Sequence, residues 1–149
     1  MLNADMKRVL EEQRLGFVAT VSADGTPNLS PKATMLVLDD EHIAFGDIRS
    51  PNTIANLLQR PALEINFVDP FARKGYRFKG EARYVERGSD EFARLLPGFE
   101  AIWGELCARF MGIVVMSVER AAPLVSPAYD RGVSEEELRA KWKAYYANL

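Results

Sequence analysis

Six short runs of strand-forming residues most constrain how this chain folds. They cover residues 15–21, a stretch that ends at 38, and residues 43–47, 62–68, 76–85 and 111–118. Residues 62–68 and 76–85 alternate apolar and polar residues with the period of two that is typical of β-strands, and residues 111–118 form an apolar run. Polar turns at Asp24-Gly25 and Asp39-Asp40 join the first three runs, which predicts an antiparallel meander. So many strands in 149 residues favour a closed or partly closed barrel, because closure hides the edges of the sheet.

Five further segments show features of helices, and they are residues 4–14, 49–58, 90–96, 99–109 and 134–147. Gly16 is expected to end the first, because glycine readily adopts the left-handed conformation found after a helix. Pro97 and Gly98 are expected to separate the third from the fourth. Ser134 and Glu137 form the pattern of a capping box, which predicts where the last helix begins. The fold class is therefore mainly β within α+β, with a six-stranded, mainly antiparallel sheet and flanking helices.

Composition and charge limit the organisation of the chain and its partners. No repeat or flexible linker interrupts residues 1–149, so we expect one domain with a core that needs no disulfide. The net charge of -2 gives no general field for nucleic acid or anionic lipid, and we expect neither as a partner. No apolar run approaches the roughly 18 residues that cross a bilayer, so we expect no membrane insertion. Cys107 is the only cysteine, which excludes an intramolecular disulfide and suits the reducing cytoplasm.

Metal-binding residue types are scarce. His42 is the only histidine and Cys107 the only cysteine, whereas the usual structural zinc sites take four such ligands. We therefore expect no metal site.

A lysine stands in the middle of the second predicted strand. Alternation puts Ser30, Lys32 and Thr34 on one face of that strand. The opposite face would carry Leu29, Pro31, Ala33, Met35 and Val37. Because lysines usually remain in solvent, a solvated strand face is one interpretation and a ligand-binding lysine is the other.

Polar side chains also crowd at the start of the second predicted helix, and they are Arg49, Ser50, Asn52 and Thr53. Ser50 is a suitable N-cap, and Pro51 suits the first helical position whether or not a ligand binds. The free N–H groups and the positive end of the helix dipole also make such a terminus an anion site. If Lys32 reaches this terminus, the two features together predict a cationic pocket for a phosphate group.

These segments resemble the pyridoxamine 5'-phosphate oxidase-like, FMN-binding split-barrel flavoproteins. The likeness covers most of the chain and is strongest over residues 15–21, 24–27, 30–32, 43–47 and 49–57. The resemblance implies a six-stranded split β-barrel and a homodimer with FMN at each end of the interface. It also implies that nine residues bind the cofactor: Ser30, Pro31, Lys32, Asp47, Ile48, Arg49, Ser50, Asn52 and Thr53. Lys32, Ser50, Asn52 and Thr53 would hold the phosphate with help from Arg49, and Asp47 with Ile48 would lie along the ribityl chain or the isoalloxazine ring.

The chain departs from the enzyme that gives the family its name. True pyridoxamine 5'-phosphate oxidases are expected to carry a C-terminal Arg-X-His element that grips the substrate, and this chain has no histidine after His42. We therefore predict an FMN-dependent oxidoreductase that acts on another small molecule, with no catalytic side chain assigned. The alternatives are a non-catalytic FMN-binding or electron-transfer protein, a deazaflavin binder, or a haem-binding relative that would need His42 as an axial ligand.

Overall fold

The computed structural model describes residues 1–149 as one antiparallel sheet with four α-helices. The helices are α1 (Ala4–Gln13), α2 (Pro51–Gln59), α3 (Asp90–Trp103) and α4 (Glu135–Ala147). The strands are β1 (Gly16–Val21), β2 (Pro27–Lys32), β3 (Met35–Val37), β4 (His42–Asp47), β5 (Ala62–Asp69), β6 (Lys74–Glu86) and β7 (Gly112–Val125). Short 3-10 helices cover Gly104–Arg109 and Pro127–Arg131. No helix of the chain combines the length and the hydropathy needed to cross a membrane.

The seven strands lie in the order β2-β1-β5-β6-β7-β4-β3. The two edge strands, β2 and β3, follow one another in the chain with only Ala33 and Thr34 between them, so the sheet must curl to bring its edges together. This curled antiparallel sheet confirms the predicted split-barrel class. The predicted count of six strands is wrong, because the second run forms two strands. Its first part, β2, pairs with β1, and its second part, β3, pairs with β4. Thr34 marks the break, and its hydroxyl donates to the Gly46 carbonyl at 3.3 Å.

The core consists of two clusters on opposite faces of the sheet. One cluster of 15 buried residues includes Phe45 and Phe67 and lies on the face covered by α1 and α2, which we call the inner face. A second cluster of eight includes Ala44 and Phe99 and lies under α3. Neighbouring residues Ala44 and Phe45 therefore serve different clusters, as the pleat of β4 requires.

Two predicted helix boundaries are wrong. Helix α1 ends with Arg14 in the left-handed conformation (φ 50°), and Gly16 instead begins β1, where a side chain would collide with the ring of Phe67. Helix α3 continues through Pro97 to Trp103 as one helix. A proline inside a helix costs about 3 kcal/mol, but Phe92 and Phe99 lie two turns apart and are both buried in the same cluster. Burial of both rings outweighs the lost backbone hydrogen bond.

Candidate functional site

The inner face of β2 carries three half-buried polar residues, Asn28, Ser30 and Lys32. The residues between them point outward, and Leu29 is 64% exposed. The predicted separation of polar and apolar residues holds as far as Lys32. The polar face is the more buried one, however, so Lys32 does not lie on a solvated outer face.

The ammonium group of Lys32 makes no ion pair. It donates to the hydroxyl of Ser30 and, at 3.3 Å, to the carbonyl of Pro31. Burial lowers the pKa of Lys32, and the negative charge of Asp47 opposes that shift. A bound anion beside this group would stabilise its charged form, because it would replace lost hydration with a direct charge interaction.

Helix α2 begins beside the same strand. Pro51 occupies its first turn and Ser50 its N-cap position, but the Ser50 hydroxyl makes no capping hydrogen bond. The expectation that Ser50 caps the helix through its side chain is therefore wrong, and its backbone (φ -137°, ψ 51°) lies outside the extended conformation of a typical N-cap. The N–H groups of Asn52 and Thr53 lie in the first turn, where an α-helix supplies no backbone acceptor.

A network of side chains ties α2 to the inner face. Asn28 donates from Nδ2 to Thr53 Oγ1 at 3.5 Å and to Thr20 Oγ1 at 3.3 Å. Asn56 donates to the same Thr20 hydroxyl at 3.0 Å. Thr53 is 1% exposed. Sequence analysis missed Asn28, Thr20 and Asn56; the spacing of Thr53 and Asn56 by three residues, which puts them on one helix face, is the signal that could have found the last.

Asp47 lies at the end of β4 and is 2% exposed. Its Oδ2 accepts a hydrogen bond from the Tyr84 hydroxyl at 3.0 Å, and its Oδ1 is buried with no partner. Burial, and next the hydrogen bond to Asp47, raise the pKa of Tyr84 to about 12. Sequence analysis did not select Tyr84, because no local pattern connects β6 with the end of β4.

The remaining predicted residues are divided between the site and its surroundings. Arg49 and Asn52 are exposed, and the side chain of Arg49 makes no ion pair. Pro31 is also exposed, on the outer side of β2. Ile48 packs against the cluster under α3, so its side chain lies away from the inner face. The structure thus brings Ser30, Lys32 and Asp47 to the inner face that α2 covers.

The five main cavities of the chain lie elsewhere. Their volumes run from about 210 to about 480 Å³, and none is lined by any of the nine predicted cofactor residues. No group of three or more His, Cys, Asp or Glu side chains is placed to hold a metal ion.

Comparison with known proteins identifies the family. The sequence model described as pyridoxamine 5'-phosphate oxidase matches residues 2–129. The chain belongs to the pyridoxamine 5'-phosphate oxidase family. The resemblance noted from the sequence is thereby confirmed. An uncharacterized protein of Methanocaldococcus jannaschii, MJ0282, is 30% identical over 89 residues, and the match spans 58% of each chain.

Solved structures of similar fold differ in what their names say they bind. HupZ of Group A Streptococcus is 30% identical with a TM-score of 0.73, and the match covers 85% of this chain and 96% of HupZ. HutZ of Vibrio cholerae, a haem storage protein, is 22% identical with a TM-score of 0.65, covering 83% of this chain and 94% of its own. An FMN-binding protein of Syntrophomonas wolfei is 15% identical with a TM-score of 0.62, covering 82% and 90%. HutZ and the Syntrophomonas wolfei protein share the fold of this chain, and this similarity does not identify the ligand that the chain binds.

Proposed function

We propose that the chain binds FMN and is an FMN-dependent oxidoreductase that acts on a small molecule. The observation that carries this proposal is the half-buried Lys32, whose ammonium lacks a carboxylate partner and lies on the strand to which the start of α2 is tied. We infer that this cation and the N–H groups at the start of α2, which is tied to the same strand through Asn28, bind a phosphate together.

The phosphate contacts come from three parts of the chain. Lys32 and Ser30 supply an ammonium and a hydroxyl from β2, and the first turn of α2 supplies N–H groups. Arg49, exposed and without an ion pair, adds a guanidinium that is free to turn toward the anion. Hydrogen bonds to charged groups contribute roughly 1.5 to 3 kcal/mol each, so this set should make FMN bind more tightly than riboflavin, which lacks the phosphate.

A haem site is less compatible with these residues. His42, the only histidine, begins β4 while Asp47 ends it, which puts the two roughly 16 Å apart along the strand. The ring Nδ1 of His42 lies 2.9 Å from both carboxylate oxygens of Asp39, so the imidazole is held in the polar turn. A histidine ligand for haem iron is therefore absent from the group around Lys32.

The same group points to a homodimer. Flavin-sized ligands are usually 70 to 90% buried, whereas Pro31, Arg49 and Asn52 are exposed in the single chain. Phe17 lies opposite Pro31 in the β1–β2 pair, and with Leu29 both contribute to an exposed apolar area on the outer side of these strands. We propose a homodimer in which a second copy covers this area, which lies on the side of β2 opposite Lys32. The single, buried Cys107 is consistent with work in the reducing cytoplasm.

When bound, FMN supplies the redox chemistry, and the chain supplies binding, orientation and access. The absence of a second histidine leaves no Arg-X-His element for a pyridoxal-type substrate. We therefore expect little oxidation of pyridoxine or pyridoxamine 5'-phosphate, below about 1 per second, and measurable reduction of the bound flavin by a nicotinamide or another low-potential donor.

The proposal is tested by purifying the protein, recording its visible spectrum and identifying by mass spectrometry the compound released on denaturation. FMN is expected; haem or a deazaflavin would overturn the cofactor assignment. Anaerobic reduction with candidate donors, followed by oxidation with small-molecule acceptors, tests the enzyme assignment. A reduced flavin that reacts with oxygen faster than with every acceptor would favour the non-catalytic or electron-transfer alternative.

A further inference from the structure

Strand β3 stands at one end of the sheet and pairs only with β4. In an antiparallel pair, every second residue exchanges backbone hydrogen bonds with the neighbouring strand. Thr34, just before β3, accepts from the N–H of Gly46 at 3.2 Å. Leu38, just after β3, donates to the carbonyl of His42 at 3.0 Å. Leu36 lies midway between these two bonded positions and is therefore the residue of β3 that bonds to β4.

The other two residues of β3, Met35 and Val37, direct their N–H and C=O groups to the opposite side, which we call the free edge of β3. No turn or loop of the chain bonds to these groups. A row of unpaired backbone donors and acceptors is a template for the backbone of another strand.

A cavity of about 210 Å³ lies along the free edge. All three residues of β3 line it, together with Leu10, Glu11 and Arg14 of α1 and Ile102 and Trp103 of α3. Met35 and Val37 face the cluster on the inner face, whereas Leu36 packs against the cluster under α3. A cavity that touches all three residues must run along the edge between the two faces, so the edge is reachable.

The position beside β3 is the one that a longer β1 would fill. Strand β1 begins at Gly16, opposite Lys32, and an extension in the same register would run opposite β3. Arg14 instead adopts the left-handed conformation (φ 50°) and turns the chain into α1. The sheet therefore has a strand position, antiparallel to β3, that the chain itself does not fill.

The two walls of the cavity differ in character. Ile102 and Trp103 give the α3 wall an apolar surface, and Ile102 is exposed. The α1 wall carries Glu11 and Arg14, which the ion pairs of α1 leave unpaired. Arg14 Nε donates only to the backbone carbonyl of Glu11, at 3.3 Å. Because successive side chains of a strand point to opposite faces, one set would meet the apolar wall and the other the charged wall.

We propose that the free edge of β3 binds an extended segment of a partner protein, which joins the sheet as an added strand antiparallel to β3. Its apolar residues alternate with charged residues: the apolar ones pack on Ile102 and Trp103, and acidic and basic ones pair with Arg14 and Glu11. A second copy of β3 does not suit the position, because its own edge lies between the same two helices. This inference goes beyond the proposed flavin chemistry and does not depend on it.

The test uses a capped peptide of about seven residues, a usual strand length, in which valine alternates with glutamate and lysine. Amide hydrogen exchange of the full-length protein is followed by NMR with and without the peptide. Exchange at Met35 and Val37 is expected to slow about fivefold or more, while the Leu36 amide, already bonded to β4, changes little. No slowing at Met35 and Val37 at millimolar peptide overturns the proposal.

Backbone methylation of the peptide supplies a matched control. Residues that bond to Met35 and Val37 share their face, so the N–H groups of the charged residues point to β3 and those of the valines point away. Methylating the charged residues' amide nitrogens is expected to weaken binding at least about tenfold. Methylating the valine nitrogens should leave affinity within about twofold. The reverse order, or equal effects, would refute strand addition.

Two variants of the protein test the apolar wall. Ile102→Glu puts a charge into the cavity and is expected to weaken the peptide at least about tenfold. Leu106→Glu is the control, because Leu106 is also exposed but lies in the following 3-10 helix outside the cavity. It should leave affinity within about twofold, and melting temperatures show that both variants fold. Unchanged peptide binding in Ile102→Glu contradicts the proposal. Sedimentation that shows a smaller assembly for Ile102→Glu alone would replace the partner segment with a second copy and also overturn it.

Discussion

Helices α2 and α4 both begin after a serine, and the two serines are used differently. At α4, the Ser134 hydroxyl accepts from the Glu137 N–H, while the Glu137 carboxylate accepts from the Ser134 N–H at 2.8 Å. Three glutamates in the first turn complement the helix dipole. At α2, the Ser50 hydroxyl makes no capping bond and the first turn contains no acid.

The difference concerns whether side chains of the chain itself accept hydrogen bonds from the N–H groups in the first turn of a helix. Side chains cap α1, α3 and α4, through Asn3, Ser89 and Ser134. Only α2 begins without a side-chain cap, and it begins next to the strand that carries Lys32. Since helix N–H groups require acceptors, a self-satisfied terminus serves stability, whereas the open one of α2 suits an anion.

The largest effect is expected from Lys32→Ala. FMN affinity should fall about 10- to 150-fold, because a charge-assisted contact worth roughly 1.5 to 3 kcal/mol is lost. Riboflavin affinity and the melting temperature of the ligand-free protein should change little, since Lys32 makes no ion pair. Lys141→Ala, an exposed lysine in α4, is the matched control. Equal losses for FMN and riboflavin, measured by calorimetry, would contradict the assignment of α2 and Lys32 to a phosphate.

Raising the pH should weaken FMN binding through the same lysine. Burial lowers the pKa of Lys32 in the ligand-free protein, so the ammonium begins to lose its proton below the ordinary value of 10.5. Affinity that depends on the charged form therefore falls as pH rises through this lowered pKa, by up to about tenfold per unit beyond it. FMN titrations between about pH 7 and pH 10 check the direction. The decline should be absent for riboflavin and for Lys32→Ala, and a decline shared by all three would assign it to another group.

Ser134→Ala and Ser50→Ala should differ in their effect on the stability of the ligand-free protein. Ser134→Ala removes a capping hydrogen bond and should cost about 1 kcal/mol of unfolding free energy, which lowers the melting temperature by roughly 2 to 4 °C in a chain of this size. Ser50→Ala removes no capping bond and should stay within about 0.5 kcal/mol. Thermal and urea unfolding of the ligand-free proteins measure both. If Ser50→Ala is the more destabilising change, Ser50 is a structural cap and the comparison fails.

Local patterns in the sequence predict most elements but not the way they meet. The capping box at Ser134 and Glu137 and five of the six strand runs were correct, because each depends on residues within a few positions. The break at Thr34 was missed, since it is set by pairing with β4 twelve residues later. Pro97 was expected to end a helix, but α3 continues through it because Phe92 and Phe99 are both buried in the cluster under α3.

The same limit applies to the candidate site. Lys32 and residues 49–53 were selected because they stand out locally, on one strand and at one helix start. Tyr84 was missed because its contact with Asp47 joins residues 37 positions apart on different strands. Ser50 was selected for its residue type, and its missing hydrogen bond depends on backbone angles that no sequence pattern specifies.

The smallest effect is expected from adding an acidic residue to the first turn of α2, where α4 has three glutamates. Asn52 is exposed in the first turn of α2, and Asn52→Asp adds there an acid of nearly the same shape. A carboxylate at this position interacts favourably with the helix dipole, so the ligand-free protein should gain about 0.3 to 1 kcal/mol. It also repels a phosphate, so FMN affinity should fall by a few-fold while riboflavin affinity is retained. Gln59→Glu, at the last residue of α2, makes the same charge change at the opposite pole and should lower stability slightly with little effect on FMN. If Asn52→Asp raises the stability of the ligand-free protein and lowers its FMN affinity, the N-terminus of α2 contributes to both properties. A variant that gains stability and binds FMN as tightly as the parent would place the phosphate away from α2.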